Sequence, residues 1–138
     1  MYSYKKRGQG KKTELQKAKG KADKYFSLYV RQRDADHDGI VKCCTCSKNF
    51  HWKNLDADHF QSRRYEATRY EERNTGPQCL RDNRFNQGMQ YEFSLYLNGK
   101  YGPKTAEKIT IKSRMFCKRN RYDFQQIAEK YKRKIKEL

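Results

Sequence analysis

No apolar run in this 138-residue chain approaches the roughly 20 residues that a membrane span requires. The opening Met1-Tyr2-Ser3-Tyr4-Lys5-Lys6-Arg7 leads into further lysines and not into an apolar stretch, so the chain carries no secretory signal to this reading. The expectation is a cytoplasmic protein with no membrane partner. In that compartment five cysteines read as metal ligands or free thiols rather than disulfides. Hydrophobic residues are scarce, 35% against 36% charged, which suits one modest core with solvated ends better than two cores. Eleven Tyr and seven Phe must supply much of the buried area. Acidic residues are outnumbered as well: 16 Asp and Glu against 33 Lys and Arg leave a net charge of +17. Such an excess repels itself in a folded chain, and a polyanion relieves the repulsion while releasing counterions. Nucleic acid is the first candidate partner, an anionic membrane surface the second, and a merely solvated basic surface the third.

The sequence contains no internal repeat. Residues 1–20 carry Lys5, Lys6, Arg7, Lys11, Lys12, Lys17 and Lys19 with few apolar residues and read as a disordered basic arm. Over residues 21–33, Phe26, Tyr29 and Val30 share one helical face. Asp34-Ala35-Asp36-His37-Asp38-Gly39 imitates the start of a calcium loop. Its twelfth position is Thr45 where such a loop needs a bidentate Glu, so it reads as a turn. Short extended runs, Ile40-Val41 and Asn54–His59, surround a Cys-rich knuckle. A polar loop spans 60–73, and 74–79 returns as a short strand or turn. Residues 80–97 read as one helix with Met89, Phe93, Tyr96 and Leu97 on its apolar face and Asn98-Gly99 as its cap. Pro103 is placed to open another helix at its first position. A final helix from about Asp123 to Glu137 sets Phe124, Ile127, Tyr131 and Ile135 opposite lysines.

Three short pieces carry the chemistry: Cys43-Cys44-Thr45-Cys46, Asp56-Ala57-Asp58-His59 and the run from Asn74 through Cys79 and Asp82 to Asn83. Cys43-x2-Cys46 is knuckle spacing, in which two thiolates on one turn grip one face of a tetrahedral zinc. Cys79 is the obvious third ligand. Counting on as for a second knuckle gives Asp82 as the fourth, since a carboxylate oxygen also binds zinc. Cys44 and His51 are rival fourth ligands, and buried free thiols without metal are the alternative. A structural ion here joins stretches more than thirty residues apart, so its binding energy becomes folding energy. Cys117 lies outside every motif and reads as a free thiol.

Adjacent Asp58 and His59 project from opposite faces if their segment is a strand. A neutral imidazole takes a proton from water near pH 7, and Asp offers magnesium a hard oxygen. Asn83 follows directly after the second zinc pair, and its amide oxygen is a second hard ligand.

The order Cys-x2-Cys, Asp-His, Asn, Cys-x2-Asp-Asn resembles the ββα-metal (HNH) nuclease superfamily. Within it the chain looks like the phage NinG (Rap) recombination-endonuclease family and is similar in its zinc and active-site layout to phage endonuclease VII. The resemblance covers residues 21–110. It implies an α+β fold, a small zinc-stabilised ββα-metal core flanked by helices. The corresponding partition is a basic arm at 1–20, a nuclease domain at 21–113 and a basic amphipathic helix at 114–138. It implies His59 as general base, with Asn74 at the position that orients the turn and that histidine. Asp58 and Asn83 become Mg2+ ligands, with Mn2+ as a substitute, and Cys43, Cys46 and Cys79 structural Zn2+ ligands. The departure is Asp82, where the family has a fourth Cys.

The resemblance further implies branched DNA such as four-way junctions as substrate. Paired nicks imply a homodimer, working with phage recombination proteins in the host cytoplasm. Arg63, Arg64, Arg69, Arg73, Arg81 and Arg84 are candidate phosphate contacts in a cleft, or else surface partners of Glu66, Glu71, Glu72 and Asp82. The rival readings are a zinc-stabilised DNA- or RNA-binding module without catalysis, a ribosome-associated basic protein, and a non-specific or homing-type HNH nuclease.

Overall fold

Thr13 and Gln16 open the first helix by exchanging hydrogen bonds: the Thr13 hydroxyl accepts from the Gln16 N–H, and the Gln16 side chain accepts from the Thr13 N–H. In this computed structural model, which describes residues 10–138, helix α1 spans Glu14–Gln32. The expected arm therefore ends sooner than residue 20. Residues 14–20 are helical because the cap at Thr13 supplies a start and Ala18 and Ala22 supply an apolar edge. Residues 1–9 of that arm lie outside the described residues.

After α1, Asp36 folds the turn by accepting from the N–H groups of Asp38 and Ile40, with Gly39 at φ 78°. Two short antiparallel hairpins follow. Strand β1 (Ile40–Lys42) pairs with β2 (Asn49–His51). Strand β3 (Leu55–His59) pairs with β4 (Thr75–Cys79), setting Asp58 opposite Gly76 and His59 opposite Thr75. The connection between β3 and β4 is the anticipated polar loop, stiffened by single 3-10 turns at Glu66–Thr68 and Glu72–Asn74. Strand β4 is buried along its whole length and runs directly into helix α2 (Leu80–Arg84).

The expected helix over 80–97 is two helices. Gln87, Gly88 and Met89 all adopt positive φ (54°, 75° and 50°), and this left-handed turn separates α2 from α3 (Gln90–Tyr101). The turn is tied down: the Gly88 N–H donates to the Asp82 carbonyl, and the Gln78 amide donates to the Gly88 carbonyl, each at 2.8 Å. The apolar spacing from Met89 onward needs no helix upstream of it, which is why periodicity alone ran the two together. The anticipated cap at Asn98-Gly99 also shifts, to Gly102 at φ 110°. Asn98 instead holds the next helix by accepting from the Ala106 N–H. That helix, α4 (Thr105–Ser113), begins two residues beyond Pro103. The last, α5 (Arg121–Lys136), opens on a second capping box formed by Asn120 and Asp123.

The main core joins opposite ends of the chain. Ala22, Phe26 and Val30 of α1 pack with Phe124, Ala128 and Tyr131 of α5, and Tyr70 closes the cluster from the long loop. Helix α5 thus completes the core rather than standing apart from residues 21–113. Phe26 meets Tyr131 and Tyr70 edge-on at 4.9 and 5.6 Å. Two smaller clusters flank it: Val41, Cys43, Leu55 and Cys79 beneath the hairpins, and Phe93, Leu97 and Ala106 between α3 and α4. The architecture is α+β, helices around two small sheets. Among the described residues no helix is long and apolar enough to cross a membrane.

Phe26→Ala should lower the unfolding free energy by about 3–5 kcal/mol through lost burial and a residual cavity. Phe116→Ala, at a side chain 93% exposed, should change it by no more than about 0.5 kcal/mol. Urea titrations followed by circular dichroism measure both, and comparable losses for the two would contradict this core.

Candidate active site and metal centre

The knuckle between β1 and β2 is a tight turn. The Cys43 N–H donates to the Lys48 carbonyl, the Ser47 N–H to the Cys43 carbonyl, and Ser47 takes φ 62° to close it. This points Cys43 and Cys46 the same way. Cys79 ends β4 and Asp82 lies one helical turn on, so the strand-to-helix junction presents both toward the knuckle. The sulfur atoms of Cys43, Cys46 and Cys79 and a carboxylate oxygen of Asp82 all lie within 4.8 Å of one another. Cys46 Sγ and Cys79 Sγ are 3.8 Å apart, the edge length that a tetrahedral ion with about 2.3 Å metal–sulfur bonds imposes. The four residues lie close enough to bind a metal ion.

Burial raises the Cys43 thiol. Hydrogen bonds from the Thr45 hydroxyl and from the N–H groups of Cys46, Thr45 and Cys79 outweigh that and hold it below the usual range. Burial pushes the Cys79 thiol up to about 12, with the neighbouring Cys43 charge adding to it. Asp82 is 1% exposed; burial raises its carboxyl, but donors from Thr45 (2.7 Å), Asn86 (3.0 Å) and Arg81 (3.4 Å) leave it low. The rival ligands are elsewhere. Cys44 turns toward Gly76 and Tyr96, where a Cβ on Gly76 would come within 3.0 Å of its sulfur. His51 Nδ1 accepts from the Lys53 N–H beside Trp52.

Strand β3 carries the second constellation. Its alternation sends Asp56 and Asp58 to one face and His59 to the other, toward α1. His59 is stacked against Phe26 at 5.9 Å, and its Nε2 lies 2.7 Å from the Arg69 carbonyl. A carbonyl only accepts, so Nε2 carries the hydrogen and Nδ1 keeps a lone pair. Burial pushes the imidazole down to about 4, which keeps it neutral at pH 7. Asp58 Oδ1 accepts from the His59 N–H at 2.8 Å. Burial and then the Asp56 charge push the Asp58 carboxyl up to about 6, opposed by the His59 N–H hydrogen bond and, through space, by Arg63. Asn83 Nδ2 donates to Asp56 Oδ2 at 2.8 Å, which leaves its amide oxygen free. Asp56, which the sequence reading quoted but gave no role, thus orients Asn83; the spacing Asp56-x-Asp58 on a strand was the available signal.

Asn74 does not reach the chemistry. It is fully buried, accepting from the Gln61 N–H at 2.7 Å and donating to the carbonyls of Gln61 and Thr68, each at 3.0 Å. It is a staple across the mouth of the long loop, and so a positioning residue. The same loop supplies the Arg69 carbonyl that fixes His59.

Asp56, Asp58, His59 and Asn83 share one cleft of about 1000 Å³, walled by Arg63, Arg64, Arg69, Arg84 and Arg114. Arg114 was not anticipated, because it comes from the far end of α4. Arg69 is locked by Asp23 (2.9 and 2.6 Å) and by the Arg63 carbonyl (2.7 Å). Two of the six anticipated arginines lie outside the cleft: Arg73 pairs with Glu71 at 3.1 Å, and Arg81 with Asp82 beside the thiolates. Glu66 and Glu72 are taken by Lys19, Arg119 and Lys134, not by the loop arginines.

No curated protein and no solved structure matches the chain. The family model described as bacteriophage lambda NinG protein matches residues 2–138, and the chain belongs to that family.

Proposed function

We propose that this chain is a metal-dependent DNA endonuclease of the ββα-metal (HNH) type that selects branched DNA such as Holliday junctions in phage recombination. The observation that supports it is one cleft in which a neutral, lone-pair-bearing imidazole, a half-buried carboxylate and an amide oxygen without a donor among the described residues face a wall of arginines. The hairpin β3–β4 leading straight into α2 is the local framework such an enzyme requires.

The residues fit both expected ions. Cys43, Cys46, Cys79 and Asp82 offer zinc a closed tetrahedral set, a structural rather than catalytic arrangement. Asp58 is a half-buried carboxylate raised to about 6 by burial and by Asp56, and the Asn83 amide oxygen adds a second hard donor suited to Mg2+ or Mn2+. When bound there, the divalent ion supplies positive charge to the phosphoryl oxygen and to the leaving 3′ oxygen.

His59 Nδ1 takes a proton from a water molecule, and the resulting hydroxide attacks the scissile phosphorus in line. The Arg69 carbonyl holds the ring so that Nδ1, not Nε2, meets the water. The arginines grip flanking phosphates. Cleavage leaves 5′-phosphate and 3′-hydroxyl ends, and paired nicks across a junction call for a dimer.

Purified protein should contain one zinc per chain. Cys79→Ser should lose it and melt at least about 10 °C lower, since structural zinc supplies folding energy. Cys44→Ser and Cys117→Ser should keep the ion. Metal quantification beside thermal melting checks this, and full zinc in Cys79→Ser would remove Cys79 from the ligand set.

His59→Ala should cut junction DNA at least about 100-fold more slowly in Mg2+ while binding it normally in EDTA. Cleavage at the native rate would exclude His59 as the base. Junction binding by the unaltered protein with no nicking in Mg2+ or Mn2+ would instead favour a zinc-stabilised binding module.

A further inference from the structure

Tyr65 stands at the rim of the cleft with a guanidinium on its ring from two residues: Arg64 at 4.8 Å and Arg114 at 4.0 Å from the ring centroid. Arg64 also donates to the Tyr65 hydroxyl at 2.7 Å. Arg114 is braced by the Ser113 hydroxyl (2.8 Å) and the Gln61 side-chain oxygen (3.3 Å). A guanidinium stacked by its face keeps its N–H edge for a phosphate. Among the described residues these two arginines, unlike Arg69, are not neutralised by a carboxylate.

Immediately after Arg114 the chain presents Met115 and Phe116, 60% and 93% exposed. They sit in the segment between α4 and α5, which is anchored on both sides. Arg114 and Met115 donate back to the carbonyls of Ile111 and Lys112, and Arg119 is fixed to the Glu66 carbonyl (2.6 Å) and carboxylate (3.3 Å). A chain short of apolar residues thus leaves these two, with Phe116 the most exposed of its large hydrophobics among the described residues, on a tethered loop that directly follows Arg114. A protein partner with an apolar patch would be repelled by nothing here but would also gain nothing from the arginines. A polyanion with exposed base faces uses both features: phosphates meet the guanidinium edges, and an unstacked base meets the phenyl ring.

We infer that Arg64, Tyr65, Arg114 and Phe116 form a branch-point reader, in which the two arginines hold backbone phosphates and Phe116 stacks on a base freed at the point where strands part. This rests on the proposed function for the class of substrate, and it names the residues that distinguish branched from continuous duplex DNA. Duplex offers the phosphates but no free base face, so the arginines serve both forms and Phe116 only the branched one.

The test is binding in EDTA, where no cleavage intervenes, of a synthetic four-way junction and of a linear duplex of matching sequence. Phe116→Ala should weaken junction binding about tenfold and leave duplex binding unchanged. Arg114→Gln should weaken both forms alike and reduce the slope of log affinity against log salt by about 1. Because Phe116 packs against nothing that its removal would unfold, a circular dichroism melt matching the parent makes either result readable. Unchanged junction affinity in Phe116→Ala, equal losses on both DNAs, or no junction preference in the parent protein would each overturn the inference. Nuclease failure is read separately: a junction preference lost with Phe116 in a protein that never nicks would sustain the reader and refute the enzyme.

Discussion

Four acidic ligand atoms within 4.8 Å cannot all be charged without a cation among them, and that constraint organises this protein. The knuckle and the strand-to-helix junction are separate stretches of a chain with little apolar surface to hold them together. Their convergence decides where α2 starts, and therefore where Asn83 stands relative to Asp58. The link is continued by uncharged groups. Asp82 takes the Thr45 hydroxyl, the Gln78 amide donates to both Thr45 and the Gly88 carbonyl, and Gly88 lies against Asp58. A Cβ at Gly88 would come within 3.2 Å of Asp58 Oδ2, at a φ that disfavours any side chain, so this turn admits glycine on two independent grounds.

Much of the site was legible as spacing. The knuckle, Cys79 and Asp82 were found by counting, and those four residues are the ones brought together. Alternation along a strand correctly separated Asp58 from His59. What could not be read were relationships between elements that no period links. Arg114 enters the cleft from α4, and Asp23 reaches from α1 to immobilise Arg69, because of tertiary packing alone. Asn74 was read as orienting the turn and His59, and its full burial shows how a residue outside the cleft can do so, by holding the loop backbone that carries the Arg69 carbonyl. The long merged helix failed for a related reason: apolar periodicity identifies a face, but it does not register a three-residue left-handed turn held by hydrogen bonds from Gln78 and to Asp82.

The charge excess is distributed by role. Some cations are spent on carboxylates that tie the loop to the helices, as Lys134 does with Glu72 and Arg119 with Glu66. Others are stacked on aromatic rings and donate to neutral oxygens rather than to carboxylates, as Arg64 and Arg114 do around Tyr65. Composition counts these cations together, and only the geometry separates arginines that brace the fold from arginines that no carboxylate engages among the described residues.

The pairing of α1 with α5 has a consequence for biosynthesis. The main core is built from α1 and α5, so on the ribosome α1 must wait for α5 before its aromatic face is covered. Phe26, which shelters the imidazole of His59, belongs to that late-closing core. A nascent chain therefore carries Cys43, Cys46 and Cys79 early and acquires a settled His59 only after α5 has been made. The shelter around His59 therefore depends on residues far along the chain, in α5, and not on the strand that carries it.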